Sequence, residues 1–114
     1  SRAAGATYVA RGSAYHAAML TDLITKAILN PGFSVVEAIS QCPTYYGRKN
    51  KQGTAVDMLN TQKENGVTVT AAAKMTPEQL QGKFIIGELH KSEAPEYTAV
   101  YRKIVDSLSA KEMK

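Results

Sequence analysis

Cys42 is the residue of this sequence with the most chemistry to offer. It lies in Ser40-Gln41-Cys42-Pro43-Thr44-Tyr45-Tyr46-Gly47, a loop at the carboxyl end of an expected strand, with proline stiffening the backbone behind it. Ligands gather at that end of strands in open α/β sheets. A thiolate held there could ligate a soft metal or a cluster, with the further ligands coming from elsewhere, because the chain has 1 Cys. The plainer reading is a small buried apolar side chain.

The next group is Tyr45 and Tyr46 followed by Gly47-Arg48-Lys49-Asn50-Lys51. Aromatic rings beside cations stack on phosphates or nucleic acids, and they also serve in ordinary docking loops. Lys+Arg number 14 against 10 Asp+Glu, a net charge of +4. That excess sits largely in this one loop, with no second basic stripe, which argues against a nucleic-acid face. Glu37 stands within an apolar strand and needs a partner if buried; Arg11, at the end of the neighbouring strand, is the candidate. The alternative is a structural ion pair or an exposed strand end. His16 and His90 have no nucleophile or metal-spaced ligand beside them in sequence and read as surface or capping residues. No nucleophile–base pair, glycine-rich phosphate loop or ligand cluster stands out, which argues against an independent small α/β enzyme.

These residues need elements to position them. Thr7 to Ala10 reads as a short buried strand and Arg11-Gly12-Ser13 as a turn, with Ser13 capping the next helix. Leu20, Leu23, Ile24, Ala27 and Ile28 recur at spacings of three and four and mark that helix, which Asn30-Pro31-Gly32 stops. Phe33 to Ile39 is a nearly continuous apolar strand, the pattern of a parallel strand covered on both faces. Strand, helix and strand make one βαβ unit with a right-handed crossover. Thr54 to Lys63 is an expected helix with Val56 and Leu59 inward, and Val67 and Val69 suggest a short strand. Thr76-Pro77-Glu78-Gln79 fits a capping box opening a short helix. Lys83 to Leu89 reads as a strand. Tyr97, Val100, Tyr101, Ile104, Val105 and Leu108 form an amphipathic stripe expected to pack into the core, and residues 111–114 are expected to fray.

The chain has 114 residues, 44% hydrophobic and 21% charged, which suits one small globular domain and excludes disordered, collagen-like and disulfide-scaffold classes. No run approaches the roughly 18 apolar residues of a membrane helix, and the start lacks the apolar stretch of a signal peptide. The expected location is cytoplasmic.

Gly5-Ala6-Thr7-Tyr8-Val9-Ala10-Arg11-Gly12, then Lys26-Ala27-Ile28, Gly32-Phe33-Ser34-Val35-Val36-Glu37 and Cys42-Pro43-Thr44-Tyr45-Tyr46-Gly47-Arg48 occur in that order. Together they resemble the β subunit of 2-oxoacid:ferredoxin oxidoreductases, and most closely the 2-oxoglutarate type. The resemblance covers residues 1–63 strongly and residues 83–108 more weakly. It implies the thiamine-diphosphate-binding subunit of an enzyme that oxidatively decarboxylates a 2-oxoacid with coenzyme A and reduces ferredoxin. It also implies that Cys42 is the fourth ligand of a [4Fe–4S] cluster whose other cysteines belong to the subunit's N-terminal part. The family's Gly-Asp-Gly motif and downstream Asn, which hold Mg2+ and the diphosphate, do not occur in this chain.

The resulting expectation is a βαβ-containing α/β fragment of a thiamine-diphosphate-binding parallel-sheet domain. Residues 1–63 would be the C-terminal part of that module and residues 64–114 the subunit's C-terminal segment. Alone it would be inactive and bind no cofactor, and its exposed sheet edge would favour self-association. In the intact complex its partners would be the α subunit, ferredoxin, coenzyme A and the 2-oxoacid, with no nucleic acid and no membrane. The loop carrying Tyr45, Tyr46, Arg48 and Lys49 would make the partner or substrate contacts. The competing reading is a freestanding, non-catalytic interaction module docking through the same loop.

Overall fold

The computed structural model describes residues 1–112. Its centre is strand β1 (Tyr8–Ser13), parallel to β2 (Ser34–Ile39) through helix α1 (Ala17–Leu29). The register runs from Tyr8 opposite Ser34 to Ser13 opposite Ile39. This is the expected βαβ unit. Its return is fixed by polar contacts: Asn30 Nδ2 donates to Thr7 Oγ1 (2.8 Å) and to Ser34 Oγ (3.0 Å), and Thr7 N–H donates to Phe33 O (2.8 Å).

Helix α2 (Ala55–Asn65) follows, then β3 (Gly66–Thr68), the short helices α3 (Val69–Ala72) and α4 (Pro77–Leu80), β4 (Phe84–Lys91) and α5 (Tyr97–Glu112). The sheet order is β2-β1-β4-β3. β4 lies antiparallel to β1, with an irregularity at Val9/Ala10, and β3 lies parallel to β4. The sheet is therefore mixed, parallel across the βαβ unit and antiparallel where β4 joins it.

One side of β1 is sealed by α1. Tyr8, Ala10 and Leu23 are buried together, with Met19, Ala27 and Val36 packed around them. Gly12 allows the helix this close, since a Cβ there would stand 2.9 Å from Leu20 Cδ1. The other side carries Val9, Arg11, Val35 and Glu37 and is partly open among the described residues. So β2 is covered on one face only, and its outer edge pairs with no described strand.

Several local expectations change. Arg11-Gly12-Ser13 is strand rather than turn, because β2 runs beside all three residues, with β4 joining as far as Arg11, and the ladder takes up backbone groups there. His16, not Ser13, occupies the position before α1. In α2 the inward residues are Met58 and Gln62, one turn apart, while Val56 is 65% exposed. Val69 opens a helix turn instead of continuing β3. The Thr76–Gln79 capping box forms as expected. The stripe of α5 is not core: Tyr97 is 76% exposed and Ile104 53%. α5 projects from the sheet, giving a radius of gyration of 20.0 Å, against about 13 Å for a compact 100-residue domain. Met113 and Lys114, the end of the stretch expected to fray, lie outside the described residues.

Candidate functional site

The parallel pair β1–β2 brings its two carboxyl ends together, and Ala14 N–H donates to Ile39 O across them (2.8 Å). Beyond Ile39 the chain turns through Cys42 into a single π-helical turn, Pro43–Gly47. Proline at its first position suits a helix start, where no N–H is needed. Gly47 N–H donates to Cys42 O (2.9 Å) and closes the turn. Gly47 is buried against α2, and a Cβ there would stand 2.8 Å from Met58 Sδ.

Cys42 itself is exposed. The nearby backbone N–H groups of Tyr46 and Tyr45 lower the thiol's pKa from its usual value by favouring the thiolate. The thiol borders a cavity of about 380 Å³ whose walls include Tyr46, Gln52, Met58, Gln62 and Phe84. This fits one soft-metal ligand. Among the described residues there is no group of three or more His, Cys, Asp or Glu side chains able to hold a metal. A cluster here would take its remaining ligands from outside these residues.

The aromatic–basic loop is one surface. Lys49 Nζ lies 4.3 Å from the centre of the Tyr45 ring and donates to Tyr45 Oη at 3.0 Å. Tyr45 is 67% exposed and Arg48 is exposed beside it. Tyr46 faces the other way in function, since it also borders the Cys42 cavity. Thus Cys42, Tyr45, Tyr46, Arg48 and Lys49 share one turn, with the thiol and Tyr46 on the cavity and Tyr45 and Lys49 outside it.

The remaining candidates stay apart from this turn or are structural. Arg11 and Glu37 face each other in the strand register and pair at 2.5 Å, partly exposed. Such a pair contributes about 0–1 kcal/mol. His16 Nδ1 is 2.8 Å from Ser13 Oγ, and its ring meets Tyr15 edge-on. His90 lies within β4, opposite Val9. Gln62, which the sequence reading passed over, is the buried polar group at the site. It sits one turn after Met58 on α2, and its Oε1 accepts from Tyr15 N–H (3.1 Å). The signal for it was that four-residue spacing.

No family model matches the chain. The chain is 50% identical over 95 residues to 2-oxoglutarate synthase subunit KorB of Methanothermobacter marburgensis, covering 83% of this chain and 33% of that protein. Its identity to KorB of Methanocaldococcus jannaschii is 42% over 108 residues, covering 95% of this chain and 40% of that protein. The chain is homologous to the β subunit of 2-oxoacid:ferredoxin oxidoreductases. It spans between a third and two fifths of the length of these curated relatives. A solved structure agrees: 2-oxoglutarate:ferredoxin oxidoreductase from Magnetococcus marinus, with 2-oxoglutarate, coenzyme A and succinyl-CoA bound. That match has a TM-score of 0.69 and 27% identity, and covers 92% of this chain and 36% of that one. The α/β fold and the β-subunit homology expected from the sequence motifs are both borne out. Among the described residues, no helix is long and apolar enough to cross a membrane.

Proposed function

We propose that this chain is the C-terminal part of the thiamine-diphosphate-binding β subunit of a 2-oxoglutarate:ferredoxin oxidoreductase, in which Cys42 is the fourth ligand of a [4Fe–4S] cluster. Residues 1–63 then complete the cofactor-binding module and residues 64–114 form the subunit's C-terminal segment. The observation that carries the reading is the Cys42 turn. It sets an exposed thiol at the carboxyl edge of a parallel strand pair, beside a cavity, in a chain 50% identical over 95 residues to a 2-oxoglutarate synthase subunit.

In the intact enzyme the cluster would relay the electrons released when a 2-oxoacid is decarboxylated onto coenzyme A, and pass them to ferredoxin. The contribution of this chain is positional. The β1–β2 edges place the loop, Pro43 and Gly47 shape the turn, and Met58 supports it from below. The amides of Tyr45 and Tyr46 favour the thiolate, the form that binds metal. Outside, Tyr45, Arg48 and Lys49 offer a cationic, aromatic surface to the α subunit, to ferredoxin or to the anionic substrate. Thiamine diphosphate and Mg2+ belong to parts of the subunit beyond these residues. Alone, these residues are inactive, and the enzyme works in the cytoplasm.

The test is Cys42→Ser in the full-length subunit that carries this segment. The expected result is loss of cluster iron and of 2-oxoglutarate-dependent ferredoxin reduction with the subunit still folded. Unchanged iron content and turnover would overturn the assignment. An immunoblot of source cells, detecting a band well above 12.3 kDa, would confirm the longer subunit. A band at that mass would favour the freestanding interaction module.

A further inference from the structure

The chain carries a net charge of +4, and Arg48, Lys49 and Lys51 cluster in one loop with no Asp or Glu in residues 40–56 to offset them. The next acidic residue, Asp57, is already engaged. Its carboxylate accepts from Thr54 N–H and Thr54 Oγ1, both at 2.7 Å, in the capping box of α2. Among the described residues, none of the three cations is in an ion pair. The backbone beneath them is fixed: Tyr46 O accepts from Asn50 N–H and from Asn50 Nδ2, both at 2.9 Å, and Gly47 O accepts from Gln52 N–H at 2.9 Å. Lys51 stands at φ 53°, in the left-handed region that suits glycine and strains a lysine. The loop therefore holds a charge where glycine would be at ease, and strain of that kind points to function.

Three kinds of partner differ in what they need. A small anion needs a concave site with converging donors. The cavity beside Cys42 has no cation on its wall, and the three cations are exposed outside it. A permanent subunit interface has a core depleted in charge. This loop is polar throughout, from Arg48 to Gln52. Exposed cations on a fixed, polar surface suit a transient encounter with an acidic protein, in which charge sets the rate of approach. We infer that Arg48, Lys49 and Lys51 form the docking surface for the acidic face of a ferredoxin-type electron carrier. The inference rests on the reading of this chain as part of a 2-oxoglutarate:ferredoxin oxidoreductase and commits to one of the partners that reading allows.

Lys51→Gly separates docking from support of the fold, since it removes a charge and relieves the backbone at once. The experiment uses the full-length enzyme, with ferredoxin from the same cells and methyl viologen as alternative electron acceptors. Lys51→Gly is expected to melt at the same temperature or higher and to reduce methyl viologen with 2-oxoglutarate at an unchanged rate. Its kcat/KM for ferredoxin should fall several-fold at low salt. Adding Arg48→Gln and Lys49→Gln should deepen that loss and flatten the decline of kcat/KM with ionic strength. Unchanged kcat/KM for ferredoxin and unchanged salt dependence in the triple variant would overturn the inference while leaving the enzyme reading standing. So would a raised KM for 2-oxoglutarate or coenzyme A, or loss of the α subunit, in place of the ferredoxin effect. A wild-type enzyme that reduces neither acceptor with 2-oxoglutarate would instead remove the enzyme reading and this inference with it.

Discussion

Met58 Sδ occupies the space that a side chain on Gly47 would need, standing 2.8 Å from the position of its Cβ. Helix α2 thus holds the Cys42 turn by filling a gap that only glycine leaves open. Gly47→Ala forces Met58 or the turn to move, and overpacking of this kind costs about 1–3 kcal/mol. Met58→Ala removes a buried side chain and costs about 2–5 kcal/mol. Because the two changes concern one contact, the double variant is expected to be less destabilised than their sum. Urea denaturation followed by circular dichroism measures all three. Strict additivity would mean that the turn and α2 do not support each other.

The Tyr45 and Tyr46 amides beside Cys42 make its reactivity depend on the fold. They lower the thiol pKa, so more thiolate is present at pH 7.5 than in a flexible peptide, where the pKa is about 8.5. Alkylation by iodoacetamide at that pH is expected to be several-fold faster in the native chain than in urea, where the Tyr45 and Tyr46 amides leave the sulfur. The sign for stability follows from the same shift. The thiolate's contribution is fully present above the unfolded pKa and is lost as pH falls through the folded one. Equal alkylation rates in native and unfolded chain would show that the amides do not act on the sulfur.

Tyr8 presents the opposite situation, a hydroxyl buried without a partner. Burial pushes its pKa up, with Glu88 adding to the effect. The ring is core and the hydroxyl is a net cost, so Tyr8→Phe is expected to leave stability unchanged or raise it by up to about 1 kcal/mol. Thermal melts decide this. A clear loss of stability in Tyr8→Phe would mean that the hydroxyl has a bonded partner, such as an ordered water.

These examples show how far the residues speak for the structure. The βαβ unit was legible because its signals are local and agree: the periodic apolar stripe of α1, the Asn30-Pro31-Gly32 stop and the apolar run of β2. Cys42 was legible from its place after β2. Gln62 was not, because a glutamine in an exposed-looking helix shows its role only when Tyr15, 47 residues away, supplies the N–H it accepts. The strand character of Arg11–Ser13 was hidden for the same reason, since it depends on pairing with Glu37, Ala38 and Ile39 across the crossover. Val56 was misplaced because hydrophobicity alone set the helix phase, whereas packing under Gly47 turned Met58 inward.

Helix α5 sets the last prediction. Tyr97, Tyr101, Ile104 and Leu108 recur at spacings of four, three and four, with Val100 and Val105 widening the stripe. All six are exposed, although Tyr97 and Val100 border a cavity with Thr7, Gly32 and Phe33. A helix of 16 residues is marginal in water on its own, so the stripe needs a partner surface to stay ordered. The stacking of Tyr97 on Tyr101, with ring centres 6.1 Å apart, does not bury either ring. For this chain in isolation, the available partner is another copy. The chain is expected to sediment as a dimer or larger species at tens of micromolar and to bind a hydrophobic dye. Placing charge on the stripe with Ile104→Glu and Leu108→Glu is expected to shift it towards monomer and to lower helical ellipticity together, since the association and the helix support each other. A monomer at every concentration, with α5 fully helical and no dye bound, would show that the helix holds itself without a covering surface.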